Sequence, residues 1–367
     1  MVAMPVWAVF LVLPYVQNPA PDAMTVIWFT SAAEPGVLEV IGPDDARVQS
    51  TSQPEAMPQL DYHETEGEQH PGNQPIHRHR VRITDLQPGT LYDYTVTQQG
   101  QVHRGTFRTT PDRDTPIRFI AYADSETEPE STGKSRKWSQ PGGSFDRRYI
   151  LDQTAGYREN VRVMAEREPH FIAIAGDLVE SGGEQRDWDE FWRHNAGELN
   201  TIASNVPIFP ALGNHDVFAG PQQGGFQPEP LRWATEKYMA YFDLPSTGDA
   251  ALDAQFPGQF YRVDYGPITL ITLNTCNGEP NESDRDTNFY IGDEGYLADF
   301  NPGSPQYAWL EKQLADAQKT ARFIFVQFHH APYSVGPHGF PTGKRWQRHG
   351  EDNQSGLPVR VLTPLLL

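Results

Sequence analysis

Short apolar runs separated by polar segments dominate the second part of this chain, and four of these runs end at residues that can bind metals. A short, nearly continuous apolar run indicates a strand buried on both faces of a sheet. In sheets of this kind, ligands bind beyond the carboxyl ends of the strands. The pattern therefore predicts four strands that bring metal-binding side chains to one rim, namely those of Asp124, Asp177, Asn214 and His329.

The first part of the chain has β-branched and aromatic runs between turn residues, which predicts an all-β domain. The polar residues 50–75 predict a long loop, and residues 85–94 are typical of the corner of a fibronectin type III sandwich, where a tyrosine hydroxyl contacts upstream backbone. The predicted strands are Trp7–Gln17, Met24–Thr30, Val37–Ile41, His77–Ile83, Leu91–Thr97 and Val102–Arg108.

A linker with two prolines, residues 109–116, separates this all-β pattern from alternating strands and helices. We expect a β-sandwich over residues 1–112 and an α/β domain of two packed mixed sheets flanked by helices over residues 113–367. Within the second domain, residues 125–144 predict a polar loop. Helices are predicted at Asp146–Glu168, at Glu184–Leu199, at Leu231–Tyr241 and after Ser304, and a β-hairpin at Gln259–Thr275.

Composition and charge narrow the possible partners. The chain has 367 residues and a formal net charge of -19, from 48 acidic and 29 basic residues. A nucleic-acid groove or an anionic membrane needs a positive partner surface, so we expect neither as a partner. The single cysteine, Cys276, excludes an internal disulfide. The apolar stretch Val6–Val12 is too short to cross a bilayer.

The motifs at the predicted strand ends resemble successive blocks of the calcineurin-like metallophosphoesterase superfamily. These blocks are Gly176-Asp177 with Gly182, Gly213-Asn214-His215-Asp216, and His329-His330-Ala331-Pro332. With the fibronectin-like first domain, the chain is similar to the purple acid phosphatase branch. The resemblance implies hydrolysis of phosphate esters on a phosphorylated small molecule, with a metal-bound hydroxide as nucleophile in a dinuclear metal centre.

The resemblance also implies roles for single residues. Asp177 bridges both metals, and Asp124 binds the first metal. Asn214 and His329 bind the second metal. His215 stabilises or protonates the leaving oxygen, and His330 is a candidate for substrate contact. The metals are divalent or trivalent, and iron, manganese, zinc and calcium all tolerate these donors.

The sequence departs from the pattern of the family in three ways. Glu126 stands where the family often has a histidine ligand, and we count it as a candidate ligand. Glu180 stands where the purple enzymes have tyrosine, and it either orients His215 or is an exposed turn carboxylate. A final Gly-His-x-His block was not found, since His338 and His349 do not match it. We therefore expect a truncated catalytic domain, with that block on a second chain or lost, and a secreted or periplasmic location.

Other functions stay open at this point. The chain could be a nucleotide phosphodiesterase of the same superfamily, or a binding or adhesion protein whose degenerate metal site has no activity. Phosphate monoesters and diesters cannot be distinguished, because the deciding residues lie in loops.

Overall fold

The computed structural model describes residues 9–66, 74–129, 135–140, 143–148, 152–276, 296–330 and 365. It consists of a strand-rich N-terminal domain followed by an α/β domain, which confirms the predicted fold class. His338 and His349, which do not match the Gly-His-x-His block, lie outside the described residues.

The N-terminal domain is a sandwich of two antiparallel four-stranded sheets. The first sheet has the order β1-β2-β6-β5, and the second has the order β4-β3-β7-β8. Alternate residues of the strands point between the sheets, and the buried ones form a core that includes Trp28, Val40, Tyr94 and Phe107. The strands are β1 (Phe10–Gln17), β2 (Met24–Thr30), β3 (Val37–Ile41), β4 (Arg47–Thr51), β5 (Glu55–Ala56), β6 (His77–Ile83), β7 (Leu91–Gln98) and β8 (Gln101–Arg108).

The predicted corner is present, since the backbone N–H of Gln87 donates a hydrogen bond of 2.8 Å to the hydroxyl of Tyr92. The prediction of one long loop over residues 50–75 was wrong in part, because β4 extends into this region and β5 lies within it. All residues of these two strands except Ser50 are exposed. They therefore lack the alternation of apolar and polar residues that reveals a strand with one buried face.

The α/β domain contains two three-stranded sheets. Strands β9 (Phe119–Tyr122), β12 (Phe171–Ile174) and β13 (Ile208–Pro210) form a parallel sheet with the order β13-β12-β9. The second sheet has the order β14-β15-β16, with an antiparallel pair followed by a parallel pair. Its strands are β14 (Tyr261–Tyr265), β15 (Ile268–Thr272) and β16 (Phe323–Gln327).

The four strands that precede the candidate ligands therefore belong to two sheets rather than to one. Three of them form the parallel sheet, and β16, which precedes His329, belongs to the other sheet. A polar residue inside the apolar run of β16 connects the two sheets, because the side-chain amide of Gln327 donates a hydrogen bond of 2.9 Å to the carbonyl of Phe209. Both sheets end at the same rim.

Helices pack around the sheets, and a further hairpin, β10 (Ser135–Gln140) and β11 (Gly143–Arg148), lies where a polar loop was predicted. The first helix starts at Gln153, later than predicted. Ser304 caps the last helix through the backbone N–H of Tyr307, as predicted. The helices are α1 (Gln153–Glu166), α2 (Gln185–Asn195), α3 (Asn214–Val217), α4 (Pro228–Tyr241), α5 (Ala250–Gln255) and α6 (Pro305–Thr320).

One hydrophobic cluster crosses from the sandwich into the α/β domain. The sandwich contributes Tyr15 and Phe29, and the α/β domain contributes Trp188, Trp192 and Tyr241. The rings of Tyr15 and Trp192 lie 4.3 Å apart between centroids, and those of Phe29 and Tyr241 lie 5.0 Å apart. The two domains therefore share a core. In the part of the chain that the structure describes, no helix is long and apolar enough to cross a membrane.

Candidate metal centre

Three acidic residues at the rim have positive φ angles, a backbone conformation that residues other than glycine rarely adopt. The φ angles are 57° at Asp124, 38° at Glu126 and 54° at Asp177. Such conformations cost about 1–3 kcal/mol each and occur where the surrounding structure imposes them. Here two backbone hydrogen bonds join the loop after β9 to the loop after β12. The N–H of Asp124 donates to the carbonyl of Gly176, and the N–H of Glu126 donates to the carbonyl of Asp177.

The glycines of the motifs allow the loops to approach closely. A Cβ atom at Gly213 would lie 2.1 Å from Oδ1 of Asp177, and one at Gly176 would lie 2.8 Å from Cβ of His329. Neither position has room for a side chain. The Gly-Asp and Gly-Asn spacing in the sequence is therefore a requirement of loop packing as well as a family signature.

Asp177 lies at the centre of the rim and is 3% exposed. Its Oδ1 accepts a hydrogen bond of 2.8 Å from the backbone N–H of His215, and its Oδ2 lies 3.1 Å from Nε2 of His329. Burial alone would raise the pKa of Asp177, but the imidazoles of His329 and His215 outweigh burial and hold the pKa well below its usual value. The side chain is therefore a carboxylate at neutral pH.

His329 presents one ring nitrogen to this carboxylate. Its Nδ1 donates a hydrogen bond of 2.9 Å to the carbonyl of Ala175, so Nε2 faces the rim. That Nε2 atom lies 3.0 Å from Oδ1 of Asn214 as well as 3.1 Å from Oδ2 of Asp177. Burial lowers the pKa of His329, but the charge of Asp177 more than compensates and raises the pKa to about 9.

Two sets of donor atoms share Asp177. One set consists of Asp124, Asp177 and His329, and the other of Glu126, Asp177 and His215. Within each set, the donor atoms lie within 4.8 Å of one another. The structure thus brings together all four rim residues that the sequence singled out, since Asn214 contacts His329. It also places Glu126 in the second set.

Asp216 has a structural role at the site that the sequence interpretation did not assign. Its Oδ2 accepts hydrogen bonds from the backbone N–H groups of Asp177 and Gly213, and its Oδ1 accepts one from Leu178. Burial and the neighbouring charge of Asp177 raise its pKa to about 7. The signal was present in the sequence, because an acidic residue two positions after Asn214 lies in the first turn of a helix that follows Gly213.

His215 is held by Glu180, although mainly through the backbone. Nδ1 of His215 lies 2.7 Å from the carbonyl oxygen of Glu180 and 3.9 Å from its Oε2. Glu180 is 1% exposed, so the alternative of an exposed turn carboxylate was wrong. The other ring nitrogen of His215, Nε2, takes no part in this contact.

His330 makes different contacts from His329. Its Nδ1 lies 3.0 Å from the hydroxyl of Thr275, and its backbone N–H donates to the same oxygen. The rings of His329 and His330 lie 5.0 Å apart in an edge-on arrangement.

The donor atoms fit a pair of cations. Nε2 of His329 lies 3.0 Å from Oδ1 of Asn214 and 3.1 Å from Oδ2 of Asp177. Both oxygens are acceptors, so either Nε2 carries a proton or a metal ion lies among the three atoms. Carboxylate, amide and imidazole donors suit iron, manganese and zinc. Asp177 belongs to both donor sets, so its carboxylate can offer a ligand atom to each of them.

Both domains of the chain are similar to known proteins. Residues 127–353 match the calcineurin-like phosphoesterase family, and residues 12–111 match the N-terminal domain of purple acid phosphatases. A purple acid phosphatase from seeds of yellow lupin (Lupinus luteus) has a similar fold, with a TM-score of 0.60 and 17% identity. That similarity covers 92% of this chain and 54% of the lupin chain.

Two curated relatives of the chain have different names. "Probable inactive purple acid phosphatase 27" from Arabidopsis thaliana is 23% identical over 75% of this chain and 41% of its own length. "Cyclic GMP-AMP phosphodiesterase SMPDL3A" from Rattus norvegicus is 28% identical over 42% of this chain and 31% of its own length. The chain thus spans less than half of the length of these two relatives. Since the first match covers more than half of the 367 residues, the chain belongs to the calcineurin-like phosphoesterase family.

Proposed function

We propose that this protein hydrolyses phosphate esters at a dinuclear metal centre. The observation that carries the proposal is the grouping of Asp124, Glu126, Asn214 and His329 around the buried carboxylate of Asp177. Asp124, Asn214 and His329 would hold metals together with the bridging carboxylate, and Glu126 would add a carboxylate on the side of His215. Two bound cations would neutralise the phosphate charge and lower the pKa of a bound water.

In this proposal, His215 acts on the leaving group. The carbonyl of Glu180 accepts the Nδ1 proton of His215 and fixes the orientation of the ring. In its protonated form, the imidazole can donate the proton on Nε2 to the oxygen that leaves phosphorus. His215 is half-buried, and its backbone N–H contacts Oδ1 of Asp177, so the ring lies next to the candidate metal ligands. His330, beside His329, is the candidate for a contact with the substrate.

The test combines metal content with turnover. Purified protein should bind about two metal ions per chain, as expected for a two-metal site. It should hydrolyse p-nitrophenyl phosphate, a monoester, or bis(p-nitrophenyl) phosphate, a diester. Removal of the metal should abolish the activity, and addition of manganese, iron or zinc should restore it. A protein that binds two metals and hydrolyses neither compound would instead support the alternative of a catalytically degenerate binding protein.

The diester compound tests a second candidate function. One relative is named as a cyclic GMP-AMP phosphodiesterase, which favours a nucleotide phosphodiesterase as the alternative. A preference of at least tenfold in kcat/KM for bis(p-nitrophenyl) phosphate would support it, since tenfold corresponds to about 1.4 kcal/mol of transition-state stabilisation. A secreted or periplasmic location and a further Gly-His-x-His segment stay predictions.

A further inference from the structure

The polar region that the sequence suggested to be a loop contains a segment that is anchored on the α/β domain. We call residues 57–66 the arm. The arm leaves the sandwich after β5, and its apolar residues Met57 and Leu60 are buried in the core that also contains Trp188 and Tyr241. Apolar burial therefore anchors the start of the arm.

Polar contacts fix the rest of the arm to α2 and α4. The buried ammonium of Lys237 donates hydrogen bonds to the carbonyl of Asp61, at 2.9 Å, and to Oε1 of Gln185, at 3.0 Å. The hydroxyl of Tyr62 donates to the carboxylate of Asp189, which also accepts a hydrogen bond from Gln185. These contacts join the arm to the first turns of α2.

Glu66 connects the end of the arm to the start of α2. This carboxylate is 4% exposed. Its Oε2 accepts a hydrogen bond of 2.8 Å from the backbone N–H of His63, within the arm. Its Oε1 accepts one of 3.1 Å from the backbone N–H of Arg186, at the start of α2. A buried carboxylate with two backbone donors is a strong and directional connection.

The segment held by Glu66 contacts the loop that carries His215. The N–H of Gly182 donates to the carbonyl of His215, at 2.9 Å, and that of Gly183 donates to the carbonyl of Phe218, at 3.1 Å. The packing is tight, because a Cβ atom at Gly182 would lie 1.8 Å from the carbonyl oxygen of Asp216. Just before this segment, the carbonyl of Glu180 accepts the ring hydrogen bond of His215.

We infer that the arm is a positioning element of the catalytic site, which fixes residues 181–186 and, through them, the ring of His215. This inference rests on the proposed role of His215. Glu66 is its key positioning residue, and it acts without touching the substrate. The N-terminal domain thereby contributes to catalysis through the geometry of a residue in the other domain.

Hydrogen exchange tests the positioning without any need for activity. Glu66→Gln keeps the size of the side chain but leaves only one acceptor oxygen for two N–H donors. We expect amide exchange in residues 181–186 and 213–218 to accelerate by at least about tenfold, because small local losses of stability appear directly in exchange. Glu55→Gln is the matched control, because it makes the same chemical change at an exposed carboxylate of the sandwich. Unchanged exchange in Glu66→Gln, or equal acceleration in Glu55→Gln, would overturn the inference.

A double-mutant cycle tests the connection to His215. Glu66→Gln should lower kcat on p-nitrophenyl phosphate by roughly tenfold with little change in KM, since a small misplacement of a catalytic group costs turnover. In a His215→Ala background, the same substitution should have little further effect on kcat. Equal losses in the two backgrounds would show that Glu66 does not act through His215. If the wild-type protein hydrolyses neither test compound, the proposed function fails, and the exchange experiment still decides the role of the arm.

Discussion

At the scale of single residues, the site depends on side chains that both hold the loops in place and offer atoms to a metal ion. Asp177 is an acceptor for the backbone of His215 and also a member of both donor sets. Its environment keeps it ionised in spite of burial. Asparagine has the same shape as aspartate but no charge, so it could keep the contact with the N–H of His215 without attracting the proposed cations.

The first prediction compares two candidate ligands. Asp177→Asn should lower kcat/KM at least about tenfold more than Asp124→Asn, because the bridging position loses negative charge next to both metals, and tenfold corresponds to about 1.4 kcal/mol. Metal content per chain, measured by elemental analysis, should fall for both metals in Asp177→Asn. Equal losses of activity in the two variants would argue against a bridging role.

The second prediction concerns His215. His215→Ala should lower turnover by about 10²–10⁴-fold, the typical contribution of a general acid or base. The metal content should stay intact, because the proposed ligands keep their contacts. His330→Ala serves as the comparison and should act mainly on KM. Loss of metal from His215→Ala would reassign this histidine as a ligand, in agreement with the donor set that contains Glu126.

Local contacts explain which parts of the site the sequence could reveal. Asp124, Asp177 and His329 were found because apolar runs precede them directly. The role of Asp216 was missed, because it depends on backbone N–H groups that come from another loop. The contact of His215 with the carbonyl of Glu180 was also not predictable, since side-chain patterns do not report backbone partners.

At the scale of elements, the hydrophobic pattern of the sequence was sufficient to predict a strand or helix where one or both of its faces are buried. Strands β3 and β6 have the bounds that the sequence predicted. Strand β4 and the β10–β11 hairpin were missed. For β4 the reason is physical, since nearly all of its residues are exposed and polar. The pairing of β16 with β15, rather than with the parallel sheet, depends on contacts between residues that are distant in sequence.

The third prediction belongs to strand β6 of the sandwich. His79 is buried, its ring nitrogens contact the hydroxyls of Thr30 and Ser52, and its ring stacks on Trp28. Burial, with a smaller contribution from His77, lowers its pKa to about 4. The folded state therefore binds fewer protons than the unfolded state between that pH and about 6.5, the usual pKa of histidine. The contribution to stability is complete above about pH 6.5 and is lost as the pH falls towards 4.

Urea unfolding of metal-free protein can measure this contribution. Between pH 7 and pH 4.5, the free energy of unfolding of the wild type should fall by at least about 1 kcal/mol more than that of His79→Gln, because each pKa unit corresponds to about 1.4 kcal/mol and solvent screening reduces the full effect. Other titrating groups are common to both proteins and cancel in the difference. Parallel pH profiles for the two proteins would contradict the prediction.

At the scale of the whole molecule, the two sequence-defined regions are joined by a common core. Phe29 of the sandwich packs against Tyr241 of the α/β domain, and the hydroxyl of Tyr15 donates to the carbonyl of Tyr241. The sequence indicated a change of pattern at the linker, but it could not show this contact. Either domain without the other would expose large aromatic side chains to water.

The fourth prediction follows from this common core. Thermal unfolding should show one transition. When hydrogen exchange is followed with increasing temperature, the amides of β7 and α2 should lose protection at the same midpoint temperature. Phe29→Ala should destabilise both regions together by about 3–5 kcal/mol, as large-to-small substitutions in a core do. Val102→Ala, at a position that is 47% exposed, should leave the midpoint unchanged. Two separate transitions, or a loss confined to β7, would show that the domains unfold independently.

Gln327 has a consequence that reaches beyond its own strand. Three candidate ligands follow strands of the parallel sheet, and His329 follows a strand of the other sheet. The distance between His329 and the other three therefore depends on the relative position of the two sheets. The hydrogen bond from Gln327 to Phe209 sets that offset two residues before His329. A single side-chain amide thus fixes the position of His329 relative to the three candidate ligands on the other sheet, although Gln327 is not itself a candidate ligand.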